Sequence, residues 1–191
     1  MARELAAALK APLLSSTVSR LLVDLNRSVG HARFHLAAVR DAGPAVREAI
    51  VERYYQPYRA QAGQYVQRAV ERGRRVIHVS SHSFTPVLDG AVRTADVGLL
   101  YDPARAGEVA LCERWQAALK ALAPDLNVRR NYPYAGKGDG LTRELRRRYS
   151  PRTYVGVELE INQKHVEGAA DRFRALRRAV IEALRVALAA G

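Results

Sequence analysis

The stretch that decides the fold is residues 74–86, with the sequence RRVIHVSSHSFTP. Val76 and Ile77 are β-branched residues at the start of a short apolar run that is typical of a central strand. Pro86 cannot donate to a strand ladder, so we expect the strand to end before it. Histidine and serine side chains are concentrated near that end, and ligands of open α/β sheets bind just beyond the carboxyl ends of strands. His82 is therefore the first candidate for chemistry.

The hydrophobic pattern of the whole chain predicts strands that alternate with helices. Helices are predicted over residues 2–10, 45–72 (interrupted near Pro57), 108–123, 141–149 and 171–190, and further strands over 20–25, 96–101, around Val128 and 154–161. We expect loops over residues 28–44 and 131–140, and a turn at Asp89 and Gly90. This alternation predicts an α/β fold with a mixed or parallel sheet covered on both faces.

Length and charge limit the number of domains and the classes of partner. At 191 residues the chain has the size of one domain, and we predict a single domain over residues 1–191. The 31 Lys and Arg against 19 Asp and Glu give a formal net charge of +12, which would suit a nucleic-acid binder. Much of the excess lies in segments typical of solvated helix faces, without interleaved aromatic residues. Nucleic acid is therefore not a partner that we expect.

Cysteine content and hydropathy bear on location. The single cysteine, Cys112, excludes an internal disulfide framework and is consistent with a reducing compartment. No uninterrupted apolar run approaches the length of a membrane span. We therefore expect a cytoplasmic protein without a membrane partner.

A second chemical candidate is the carboxylate pair Glu158 and Glu160 on the last predicted strand. Residues two apart on a strand project from the same face. Two adjacent carboxylates on an otherwise apolar strand cost free energy unless they are paired, bound to a cation or used in a reaction. A general base beside a metal ion would fit this pattern. The alternative is structural, with one carboxylate paired to an arginine and the other at a sheet edge.

Four segments in combination resemble the N-formylglutamate amidohydrolase family. They are residues 19–28 (SRLLVDLNRS), 82–86 (HSFTP), 131–134 (NYPY) and 158–163 (ELEINQ), and the resemblance covers roughly residues 10–165. It implies the three-layer α/β/α fold of the zinc carboxypeptidase-like, or phosphorylase/hydrolase-like, group, with a largely parallel sheet. It also implies zinc-dependent cleavage of the formyl amide of N-formyl-L-glutamate to formate and glutamate, a step of histidine breakdown.

The resemblance also assigns the catalytic and metal-binding roles. His82 resembles the zinc histidine at the end of a central strand in this group. Glu160 resembles the carboxylate that activates the metal-bound water, and Glu158 remains an alternative because the strand register is not fixed by the sequence. His78 is expected to support the strand rather than to bind metal.

Substrate contacts follow from the same comparison of motifs. Asn26 and Arg27 resemble the Asn-Arg pair that holds the substrate carboxylate, where a planar guanidinium gives a bidentate contact. Arg93 and Tyr134 are further candidates for contact with a small acylated amino acid.

The sequence departs from the family pattern at its start. The family normally has a strand and a histidine-bearing loop, which supply further zinc ligands, before the helix that here starts at Ala2. Either the chain is a shortened form or reflects a gene-start error, or its metal site is incomplete. His31 and His35 could replace those ligands only if the intervening loop folds back. The sequence hypothesis is a zinc-dependent amidohydrolase of N-formylglutamate or a similar small N-acyl amino acid. The alternatives are an inactive member that acts as a binding or remnant protein, and an Arg-rich nucleic-acid binder.

Overall fold

The computed structural model describes residues 1–167 and 169–191. The helices are α1 (Ala2–Leu9), α2 (Ala37–Arg40), α3 (Pro44–Ile50), a π-helical turn (Val51–Tyr55), α4 (Gln56–Glu71), α5 (Ala106–Leu122), α6 (Leu141–Arg148), a 3-10 turn (Gln163–His165) and α7 (Ala170–Ala189). The strands are β1 (Val76–Phe84), β2 (Val87–Leu88), β3 (Ala91–Val92), β4 (Val97–Leu100), β5 (Val128–Arg130) and β6 (Tyr154–Asn162). The predicted α/β fold is confirmed.

The chain divides into two compact units. The first, here called the sheet unit, comprises Met1–Ala11, Ile77–Gly138 and Val155–Gly191. The second, here called the helical unit, comprises Pro12–Val76 and Asp139–Tyr154. The single domain predicted over residues 1–191 stays a prediction.

The main sheet has the strand order β1-β6-β4-β5 within the described residues. Strand β4 pairs in parallel with β5 and antiparallel with β6. Strands β1 and β6 run in the same direction, because Val76 N donates to Thr153 O (2.8 Å) where both begin and Gln163 Nε2 donates to Ser83 Oγ (3.1 Å) where both end. The sheet is therefore mixed and mainly parallel, as predicted.

Alternation along β6 places the core of the sheet unit on one face of the sheet. The odd-numbered residues, from Val155 to Ile161, are buried and belong to one apolar cluster with side chains of α5 and α7. The two helices pack on each other, and Trp115 Nε1 donates a buried hydrogen bond to Val180 O (3.1 Å). The indole thus satisfies its donor inside the core, as a buried tryptophan usually does.

The helical unit has two smaller apolar clusters. One surrounds Phe34, whose ring meets Tyr55 edge to face at 4.9 Å, and the other contains buried residues of α4 and α6 such as Val66 and Leu145. The predicted interruption of the helix over 45–72 is confirmed, because the π-helical turn ends directly before Gln56 and Pro57. Proline removes a backbone donor, so a break in the regular bonding at this point is expected.

The strand predicted over residues 20–25 is wrong. Residues 20–25 form turns rather than a strand. Their backbone donors bond to turns and loops instead of to a strand, since Leu22 N donates to Ser19 O and Asp24 N donates to Phe34 O. Strand β1 ends at Phe84, before Pro86 as predicted, and His82 lies inside the strand two residues from its end. In the described part of the chain no helix is long and apolar enough to cross a membrane.

Candidate functional site

Strand β6, which carries both glutamates, has its polar residues on the face opposite the core. Glu158, Glu160 and Asn162 alternate with the core residues and therefore share that face. Glu160 is 6% exposed and Asn162 is fully buried, whereas Glu158 is partly buried. In the pairing with β4, Gly98 lies opposite Glu160 and Leu100 opposite Glu158. The predicted common face of the two glutamates is thus present.

A loop of the sheet unit packs over this face next to Glu160. A Cβ atom placed on Gly98 would lie 2.1 Å from Tyr132 O and 3.3 Å from the Cβ of Glu160. Only the missing side chain of glycine permits this approach of the two backbones. The loop is held to the end of β4 by Asn131, whose Oδ1 accepts hydrogen bonds from Tyr101 N (3.0 Å) and Gly136 N (3.1 Å). The NYPY segment therefore has a structural function as well as any chemical one.

Arg93 and Tyr134, both predicted as substrate contacts, touch each other. Arg93 Nη1 donates to Tyr134 Oη (2.9 Å), and its guanidinium lies 5.1 Å from the centre of that ring and 5.9 Å from the Phe84 ring. Arg93 is buried, whereas Tyr134 is 43% exposed. Asn162 Nδ2 donates to the backbone oxygens of Arg93 (3.0 Å) and Ala95 (2.9 Å), which fixes the arginine backbone to the end of β6.

His82 lies on the same face of the sheet as the glutamates. Val79 packs against the core cluster, so the even-numbered residues of β1 project from the opposite face. The bond from Val76 N to Thr153 O aligns Val76 with Tyr154. Both strands are nine residues long, and from this register we infer that His82 lies beside Glu160. The ring is also bonded within its own strand, with Nε2 2.8 Å from Ser80 Oγ.

The described residues do not provide a complete zinc site. No group of three or more His, Cys, Asp or Glu side chains in residues 1–167 and 169–191 could hold a metal ion. A catalytic zinc ion usually has three protein ligands and one water. The set around His82 therefore falls short of the ligands that a catalytic zinc ion requires.

In the helical unit, Asn26 and Arg27 hold the turn that precedes α6. Asn26 Oδ1 accepts from Leu141 N (2.9 Å), the first residue of that helix, and Arg27 Nη1 donates to Asp139 O (2.5 Å). Arg27 Nε is buried without a hydrogen bond and lies 3.8 Å from Asp24 Oδ2. Both predicted substrate residues thus have structural partners, and their contact with a substrate carboxylate stays a prediction.

Asp139 belongs to the same turn, and the sequence reasoning missed it. Its carboxylate accepts from Ser28 N (2.8 Å) and Ser28 Oγ (2.6 Å). Burial alone would raise the pKa of Asp139, but these hydrogen bonds and the charges of His31 and Arg27 outweigh burial and lower the pKa. Asp139 therefore remains an anion, and through Ser28 it anchors residues 24–28 (DLNRS).

Glu108 is a second residue that the sequence reasoning missed. It is fully buried at 0% exposure, and it accepts from Asp102 N (2.9 Å) and Gly156 N (3.1 Å) and pairs with Arg105 at 3.3 Å. Gly156 lies beyond the last described pair of β4 and β6, so the carboxylate bonds this strand where β4 has ended. The sequence did contain a signal for Glu108, namely a charged residue on an otherwise apolar helix face. Glu108 lies three residues before Leu111, on the apolar face of α5.

A third cluster surrounds Asp96 at the start of β4. Its Oδ1 accepts from Lys164 Nζ (2.6 Å) and lies 2.7 Å from His165 Nε2, and its Oδ2 accepts from Asn127 N (2.7 Å). Burial alone would raise the pKa of Asp96, but the hydrogen bonds from all three residues outweigh it and lower the pKa. The cluster joins the 3-10 turn after β6 to the start of β4.

The model of the N-formylglutamate amidohydrolase family matches residues 1–166. The chain belongs to this family. The gene product Atu2144 of Agrobacterium tumefaciens, whose crystal structure is known, is 28% identical and superimposes with a TM-score of 0.81. The superposition covers 99% of this chain and 75% of that chain. A search of curated proteins finds no match to this chain.

Family membership confirms the resemblance that the four motifs predicted and indicates a hydrolase. The place in the zinc carboxypeptidase-like group, the shortening, the cytoplasmic location and the roles of the named residues stay predictions.

Proposed function

We propose that this chain hydrolyses the amide bond of N-formylglutamate or of a similar small N-acyl amino acid. The observation that carries the proposal is the shared polar face of β6 and β1, where Glu158 and Glu160 lie on one strand and His82 on its neighbour. Membership of a hydrolase family supports the same reaction class.

In the proposed reaction Glu160 is the general base. The residue is 6% exposed on the polar face of β6, and a positioned carboxylate can serve as a general base. It would take a proton from the attacking water and return it to the leaving amine. Glu158, two residues away on the same face, is the alternative base.

Four further residues are proposed to bind the substrate. Asn26 and Arg27 would hold a carboxylate of the substrate, and the planar guanidinium is suited to a bidentate contact. Arg93, already bonded to Tyr134, would contact the acylated end while the tyrosine hydroxyl presents an exposed hydrogen-bonding group.

Zinc is the cofactor that we propose for turnover, with His82 as one ligand. Because the described residues do not complete the usual set of three ligands, no step of the reaction is assigned to the ion.

The Glu160→Gln variant tests the proposal. We expect it to lower the rate of formate release from N-formylglutamate by about 10²–10⁴-fold, the range for loss of a general base. The metal content should not change, because the assigned role is proton transfer. Glu158→Gln, measured in parallel, identifies the base, and the exposed Glu113→Gln serves as the control. Undiminished turnover in Glu160→Gln would exclude this assignment.

One observation favours a second candidate, a family member that binds an acylated amino acid without hydrolysing it. This observation is the incomplete ligand set in the described residues. Metal analysis of the purified protein together with calorimetric titration of N-formylglutamate separates the two candidates. Binding without stoichiometric zinc and without formate release would identify the inactive member, and turnover that chelators abolish would identify the enzyme.

A further inference from the structure

We propose that a pocket of the helical unit, formed by residues 29–51, binds a free acidic amino acid. The pocket has a volume of about 300 Å³, at the small end of the range for ligand sites. Its apolar part includes Val29, Val51 and the buried Phe34. The identity of the ligand as the product of the reaction rests on the proposed function, whereas binding itself does not.

The charged side chains that line the pocket are not paired with each other. Arg40, Arg47 and Glu48 all contribute to the lining. Within the described part of the chain, none of the three forms an ion pair, although Arg47 Nη1 donates to Arg40 O (3.3 Å). Two guanidinium groups and one carboxylate give the pocket a formal charge of about +1 when its histidines are neutral.

The two histidines of the pocket present one donor and one acceptor. Arg33 N donates to His31 Nδ1 (3.0 Å), so the neutral His31 ring carries its proton on Nε2. His35 Nδ1 lies 3.3 Å from Leu22 O, a carbonyl that can only accept, so the proton of His35 is on Nδ1 and Nε2 is an acceptor.

These groups together favour a ligand with two carboxylates and one ammonium. Two guanidinium groups and the His31 donor match two carboxylates, because arginine binds carboxylates in bidentate geometry. Glu48 and the His35 acceptor match an ammonium group. An acidic amino acid has this set and a net charge of −1, which balances the pocket. An N-acylated acid lacks the ammonium and would leave Glu48 facing an additional negative charge.

Calorimetric titration of the full chain with L-glutamate tests this inference and does not require turnover. We expect one glutamate to bind per chain, and glutarate and N-acetyl-L-glutamate to bind about two- to fivefold more weakly, which is the effect of losing a charged contact to the exposed Glu48. Glu48→Gln should reduce that preference for glutamate, and the exposed Arg40→Ala should weaken all three ligands. Arg33→Ala and Glu52→Gln, outside the lining, are the matched controls and should bind as the native chain does.

Two variants distinguish this pocket from the proposed substrate site. Binding that Arg47→Ala abolishes and Arg27→Lys retains supports the pocket. Binding that Arg27→Lys abolishes and Arg47→Ala retains would place the product in the substrate site and overturn the inference. Absence of glutamate binding at about 10 mM would also overturn it, since even a millimolar site would be largely filled. Neither result bears on formate release, so the proposed function is tested separately.

Discussion

Replacement of Glu108 by alanine tests whether one buried carboxylate fixes the strand that carries Glu158 and Glu160. Glu108 accepts two backbone hydrogen bonds, from Asp102 N and Gly156 N, and pairs with the buried Arg105. A hydrogen bond to a charged group contributes about 1.5–3 kcal/mol, and removing one partner of a buried ion pair costs about 3–5 kcal/mol. These contributions overlap, because they belong to one network. We expect the free energy of unfolding to fall by about 3–5 kcal/mol.

The matched control is Glu113→Ala on the same helix. Its side chain is 55% exposed and pairs with Arg130 at 2.6 Å, and exposed pairs contribute about 1 kcal/mol or less. Urea unfolding followed by the fluorescence of Trp115, the only tryptophan of the chain, reports on the unit that contains both glutamates. If the two variants lose equal stability, the buried network does not hold this part of the sheet.

Two further predictions concern the packing of the loop and the effect of pH. Gly98→Ala should lower the free energy of unfolding in urea by about 1–3 kcal/mol, because the new Cβ would lie 2.1 Å from Tyr132 O. Gly43→Ala is the control and should have little effect, because a Cβ at Gly43 would have no atom within 4 Å. The lowered pKa of Asp139 means that its stabilisation is complete above the ordinary carboxyl pKa of about 3.9 and is lost as the pH falls through the lowered value. The stability difference between the native chain and Asp139→Asn should therefore shrink from about pH 6 to about pH 3, and a constant difference would contradict the assigned anion.

Periodicity predicted the elements that carry their own apolar face. Helix α5 and strand β6 were located within two residues at each end, because both bury one face against the same core. The run over residues 20–25 has an equally apolar sequence but does not form a strand. Val23 is buried in a small cluster with Phe34, and Asp24 N bonds to Phe34 O, so the segment buries Val23 from a turn without pairing to a strand. Local hydropathy does not contain that information.

The chemical candidates were predictable where they broke a pattern. Glu158 and Glu160 were found because two carboxylates interrupt an apolar strand, and Arg93 and Tyr134 were found only through the family resemblance. Their mutual contact spans 41 residues of sequence and depends on how the loop folds. His82 was found because polar side chains are concentrated near the end of a predicted strand, and it lies within that strand. Alternation still places it on the polar face, because it is three residues from the core residue Val79.

The polar face of β6 is held at both ends by buried side chains that bond to backbone. Glu108 binds Gly156 N at one end, and at the other Asn162 donates to the carbonyls of Arg93 and Ala95. The two anchors therefore fix the backbone of β6 on either side of Glu158 and the nearly buried Glu160. Weakening either anchor should change the environment of the proposed base without altering the base itself.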